Sequence, residues 1–154
     1  MRRLLVIGIG SRIMRDDGVG VQVAEVLADS LRRHNVALLI GETDVQCCLD
    51  AITPEDVVII LDAMVLGREP GSLEVMSLED ALAHRSGLRT QHECSLLDLI
   101  TLHAPETQGY LIGIEAAEIG FGLGLSTALQ AQFESICAAV LRAVLSIKEE
   151  AEHA

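Results

Sequence analysis

Apolar positions along the chain follow two alternating rhythms. Residues 4–9 form a nearly unbroken apolar run, the mark of a strand buried on both faces. Residues 10–18 are turn-rich. From Val19 the spacing becomes helical, with Val19, Val21, Val23, Ala24, Val26, Leu27 and Leu31 recurring up to Arg32, Arg33 and His34. Cations suit the last turn of a helix, and Asn35 is its stop. Residues 36–40 predict a second strand. Thr43 or Asp44 caps a helix running to about Ile52, and Pro54 breaks the chain. Residues 57–61 are a third buried strand ending at Asp62. A turn around Pro70 leads into a short strand at 72–76 and a short helix over 78–83. Residues 84–93 are polar and loop-like. A helix at 94–102, a strand at 110–114, a long glycine-rich loop at 115–126 and a final helix over 127–147 with a frayed acidic tail complete the chain.

Strands alternating with helices predict an α/β fold: one three-layer α/β/α domain over residues 1–154, with a mostly parallel twisted sheet of about five strands. Composition makes its core aliphatic, since the chain has one Tyr, two Phe and no Trp. The formal net charge is -12 and Lys148 is the only lysine, which excludes a run of phosphate contacts and hence a nucleic-acid partner. The opening MRRLLVIGIGSR begins like a signal peptide, but Gly8, Gly10 and Ser11 break the run early, so a buried first strand explains it better. No apolar stretch approaches the length expected of a membrane span, and no membrane insertion is expected. Cys47, Cys48, Cys94 and Cys137 fit no zinc or redox spacing and read as reduced thiols of a cytoplasmic protein.

In open α/β sheets, ligands sit at the carboxyl ends of the strands. Asp16 and Asp17 follow the first strand in GSRIMRDDGVG, and Asp62 follows the third in VVIILDA. An acid at the end of a buried run needs a reason, and two such acids on one rim can bind a cation or share a proton. His92, in RTQHECSLLDL, is the candidate third donor. Two carboxylates and one imidazole form a mixed ligand set that leaves positions open for water or substrate. Several other patterns fail. The dinucleotide fingerprint lacks its third glycine at Ile13, the loop has no phosphate-binding lysine, and Leu96 stands where a zinc-protease helix needs its second histidine.

Taken together, GIGSRIMRDDGVG, LDA at the end of the third strand, the PGS that follows and HECSLLDLI resemble the [NiFe]-hydrogenase maturation proteases, from Leu4 to the last helix. The resemblance implies an endopeptidase that removes the C-terminal peptide of a hydrogenase large-subunit precursor. The precursor arrives carrying nickel, so the metal comes with the substrate. It also implies that Asp17, Asp62 and His92 contact that metal. Asp16 matches an acid beside the site, while capping the first helix is an equally good role for it. The metal would polarise the scissile carbonyl and activate a water, with Asp16 or Glu42 as the general base. The chain departs from the family pattern at Ser11, where asparagine is usual, and at Ile40-Gly41-Glu42-Thr43, where many members carry a D-G-G-[ST] stretch.

Two rivals share the acid pattern. A receiver-like module needs a lysine after the last strand, and Lys148 deep in the final helix does not supply it. A non-catalytic α/β module binding a small ligand or a metal is the alternative, with the glycine-rich segment 120–124 serving it.

Overall fold

The computed structural model describes residues 2–83 and 91–153, with residues 91–95 as helix backbone only. Its elements run β1 (Arg3–Ile9), α1 (Val19–Arg33), β2 (Ala37–Glu42), α2 (Val45–Ala51), β3 (Asp56–Met64), β4 (Leu73–Ser77), α3 (Leu78–Ala83), α4 (Gln91–His103), β5 (Gln108–Glu115) and α5 (Thr127–Glu152). A 3-10 turn at Arg15–Gly18 precedes α1. The five strands form one sheet in the order β2-β1-β3-β5-β4. β1 pairs in parallel with β2 and β3, and β3 with β5, while β4 closes the edge antiparallel to β5.

The two-residue period of the strands divides the core. Leu4, Val6, Ile59, Leu61 and Ile112 face one side, where α1 and α5 cover them. Leu5, Ile7, Ile9, Val58, Ile60 and Leu111 face the other, under α2, α3 and α4. Each fully buried aliphatic side chain contributes about 1.5–3 kcal/mol, so a sheet covered on both faces needs no aromatic bulk. Local chemistry sets the helix ends. Asn35 adopts φ 58, and its N–H donates to Arg32 O at 3.0 Å, while Val36 N–H donates to Leu31 O at 2.9 Å, satisfying the last carbonyls of α1. Asp44 caps α2, accepting from Cys47 N–H at 2.9 Å.

Four boundaries differ from those read in the sequence. β3 continues past Asp62 because Ala63 and Met64 still pair with Ile114 and Glu115, so Asp62 lies inside a strand, opposite Gly113. β5 likewise extends through Glu115. α4 begins at Gln91, which puts His92 in its first turn and not in a preceding loop. α5 persists to Glu152, where Lys148 Nζ donates to Glu152 Oε1 at 2.6 Å across one turn. By length and composition α5 is also apolar enough to cross a membrane, contrary to the expectation from sequence. Its Leu129, Ile136, Val140, Val144 and Ile147 nonetheless recur at helical spacing and pack onto the sheet as one stripe.

Candidate active site

The parallel strands carry their carboxyl ends to one edge, and the acids gather there. β1 ends at Ile9, and the chain turns sharply at Gly10, whose φ is 133. A Cβ on Gly10 would lie 2.0 Å from the Asp17 carbonyl oxygen and 3.5 Å from Asp62 Oδ1. Only glycine fits that gap, where the Asp17 main chain and the Asp62 carboxylate both approach the one residue. Asp17 Oδ2 accepts from Ser11 N–H at 2.8 Å. Asp62 Oδ1 accepts from Ala63 N–H at 2.8 Å. Both side chains are buried, Asp62 completely. A second close approach sets the depth of the site. A Cβ on Gly20 would lie 2.3 Å from Leu61 O, so the first turn of α1 rests directly on the β3 backbone one residue before Asp62.

The side chain of His92 lies outside the described residues, but its place in the fold follows from topology. Asp62 shares strand parity with Val58 and Ile60, on the sheet face that Leu96, Leu97 and Ile100 of α4 cover. α4 leads into β5 at the amino edge and therefore starts at the carboxyl edge. Its first turn, with His92, thus stands on the Asp62 face at the Asp62 end. Among the described residues no three His, Cys, Asp or Glu side chains form a metal-binding group.

Asp16 faces elsewhere. It is fully buried, and its Oδ2 accepts from Ala117 N–H and Glu118 N–H, both at 2.9 Å, and from the Ser126 hydroxyl at 2.7 Å. Its Oδ1 accepts from Ser126 N–H at 2.7 Å. Ser126 in turn caps α5, accepting from Leu129 N–H at 3.3 Å. The expected capping of the first helix is therefore not made: Gly18 occupies the N-cap of α1 without a side-chain bond. The Asp16 carboxylate instead sits at the positive end of α5 and ties the β5–α5 loop to the first loop. Glu42, the other suggested base, is exposed and ion-paired with Arg12, which also holds Glu25 at 2.7 Å. Its φ of 51 places a non-glycine residue in left-handed backbone, at a position where the family stretch carries glycine.

Three features at this edge escape a sequence reading. Ser126 shows no periodicity or motif. Glu115, assigned from sequence to the loop, is buried at the end of β5, and its carboxylate accepts from Leu66 N–H at 3.0 and 3.2 Å. The β5–α5 loop also presents bare apolar side chains, Phe121 among them at 86% exposure. Cys48 is no nucleophile: burial beneath β2 pushes its thiol up to about 11. A cleft of about 450 Å³ exists at the opposite, amino edge, lined by Arg2, Glu79, Gln108, Tyr110 and Glu150, far from both aspartates.

Residues 21–143 match the family model for hydrogenase maturation protease. The chain is 30% identical over 149 residues to the hydrogenase expression/formation protein HupD of Rhodobacter capsulatus, covering 91% of this chain and 70% of that protein. It is 27% identical over 163 residues to the hydrogenase 2 maturation protease of Escherichia coli (strain K12), covering 98% and 99% of the two chains. The structure of the hydrogenase maturating endopeptidase HybD from E. coli superposes with a TM-score of 0.77 at 25% identity, over 94% of this chain and 93% of that one. With the acids of GSRIMRDDGVG and LDA at one sheet edge, and a family match spanning most of its length, this chain belongs to the hydrogenase maturation protease family.

Proposed function

We propose that this endopeptidase removes the C-terminal peptide of a [NiFe]-hydrogenase large-subunit precursor, and that it recognises the nickel already bound in that substrate through Asp17, Asp62 and His92. The observation that carries the reading is the pair of buried acids at the carboxyl edge, where the Asp17 main-chain carbonyl and Asp62 Oδ1 both approach Gly10. Two buried carboxylates on one rim of the sheet favour a cation beside them. Carboxylate oxygens and one imidazole, without thiolate, bind a divalent ion weakly on their own and strongly once a substrate completes the coordination sphere.

Asp16 enters this reading as a positioning residue. Its carboxylate oxygens already accept four hydrogen bonds, which suits it to holding the loops and not to taking a proton from water. The reading places the reaction in the cytoplasm, where an exposed thiol such as Cys47 stays reduced. The competing non-catalytic module has no observation in its favour at this edge.

The test is a side-by-side incubation of the chain with nickel-loaded and nickel-free precursor, following loss of the tail by mass. Cleavage of the loaded form alone is expected. Equal cleavage of both would overturn nickel recognition while leaving the peptidase in place.

A further inference from the structure

The loops beside Asp17 carry apolar side chains that the fold does not use. Among the described residues, seven large hydrophobics are strongly exposed, and four of them, Ile13, Ile119, Phe121 and Leu123, belong to the two loops that Asp16 ties together. Phe121 and Leu123 are 86% and 78% exposed. In a chain with only two phenylalanines, one stands almost wholly in solvent.

These side chains do not sit on a slack loop. Gly122 N–H donates to Ile13 O at 2.9 Å, Arg15 N–H donates to Gly122 O at 3.2 Å, and Asp16 N–H donates to Glu118 O at 3.1 Å. Met14 and Gly122 form a parallel bridge, and Arg15 Nη1 donates to Leu123 O at 3.4 Å. The buried Asp16 carboxylate anchors the base of the strap from below. Exposed apolar side chains gathered on two hydrogen-bonded loops mark a binding surface, because holding them in water without a partner is unfavourable. One peptide bond separates the anchor, Asp16, from Asp17. The strap is therefore anchored one residue from Asp17, beside the candidate site.

We infer that Ile13, Ile119, Phe121 and Leu123 form the surface on which an apolar segment of the large-subunit precursor docks beside the bond to be cut; the inference rests on the processing role proposed above. Docking of this kind is made equally in the ground state and the transition state. Its loss should therefore raise KM and leave kcat in place.

Steady-state cleavage of the nickel-loaded precursor from the same organism tests this. The double variant Phe121→Ser/Leu123→Ser should raise KM by about 10-fold or more, with kcat within about 2-fold, as expected when two apolar side chains are removed from an interface. Phe121→Leu should restore most of the affinity. Both positions are exposed, so Tm should not move. If the double variant does lose stability, the two single variants decide the matter by the same KM criterion. An unchanged KM, or a fall in kcat alone, overturns the docking inference while wild-type cleavage upholds the processing role. If the wild-type chain cuts no precursor, the processing role falls and the inference falls with it. Self-association of the protease, or its sedimentation with phosphatidylcholine–phosphatidylglycerol vesicles, that disappears in the double variant would assign the strap to a second copy or a lipid surface and overturn the inference.

Discussion

Asp16 and Asp17 are neighbours in sequence with opposite surroundings, and the same substitution should separate their roles. Asp17→Asn and Asp62→Asn each keep an oxygen able to accept the present bond, from Ser11 N–H or Ala63 N–H. They remove charge and leave shape. Processing should fall by at least about 100-fold, the scale of losing a charged group at a reacting centre. Stability should change by no more than about 1 kcal/mol, because the near-isosteric amide keeps the side chain's shape and its hydrogen bond. Asp16→Asn should do the reverse. An amide nitrogen would face one of the N–H or O–H donors that now meet a carboxylate. A buried donor left without an acceptor costs about 1–3 kcal/mol. The urea midpoint should drop, the 116–126 loop should exchange its amide hydrogens faster, and activity should fall only as the strap loosens. If Asp16→Asn keeps full stability and abolishes cleavage, Asp16 acts in the chemistry and not in support of it.

The strands carried most of what the sequence could reveal. The runs at 4–9 and 57–61 identify β1 and β3 because burial on both faces demands continuous aliphatic residues, and that requirement also makes Asp62 conspicuous. Strand ends were less legible. Pairing continues for as long as a neighbour offers backbone partners, and the neighbour of Ala63 and Met64 is about fifty residues away in β5. The role of Asp16 was hidden for the same reason, since its partners lie at Ala117, Glu118 and Ser126. Gly10 was visible as a glycine, but the close approach of the Asp17 main chain and the Asp62 carboxylate to it was not. The amino edge holds a further pairing invisible to periodicity: Arg3 Nε and Nη2 each donate to the buried Asp56 carboxylate at 2.7 Å. The Arg3 guanidinium holds Asp56 below the ordinary carboxylate range. A depressed folded pKa contributes stability above the unfolded value and loses it as pH falls through the folded one. The stability gap between wild type and Asp56→Asn should therefore be full at neutral pH and shrink on acidification below the ordinary carboxylate range. Urea midpoints of both proteins against pH measure it, and a gap that stays constant to acid pH would remove Asp56 as a source of acid sensitivity.

The architecture separates stability from function along one axis. Aliphatic packing on both sheet faces and the Arg3–Asp56 pair at the amino edge hold the fold, while the carboxyl edge collects buried acids, left-handed backbone at Arg15 and Glu42, and exposed apolar side chains. The proposed function has the protein meet its metal only when a partner docks, and that has a thermodynamic consequence. A resident metal would stabilise the native chain by mass action, in proportion to the logarithm of its concentration over Kd. In the proposed reading the protein offers two carboxylates and one imidazole, and the thiolates that bind nickel strongly come from the precursor. Nickel added to the isolated chain at about 10-fold molar excess should therefore move Tm by no more than about 1 °C. Chelator treatment followed by desalting should leave the rate on nickel-loaded precursor unchanged, and adding nickel should not confer cleavage of the nickel-free form, because a free ion does not position the bond. His92→Gln should lower the rate on the loaded precursor while Tm stays put. A rise of several degrees with nickel, together with loss of activity after chelation, would establish a metal held by the protease itself and overturn the substrate-borne mechanism.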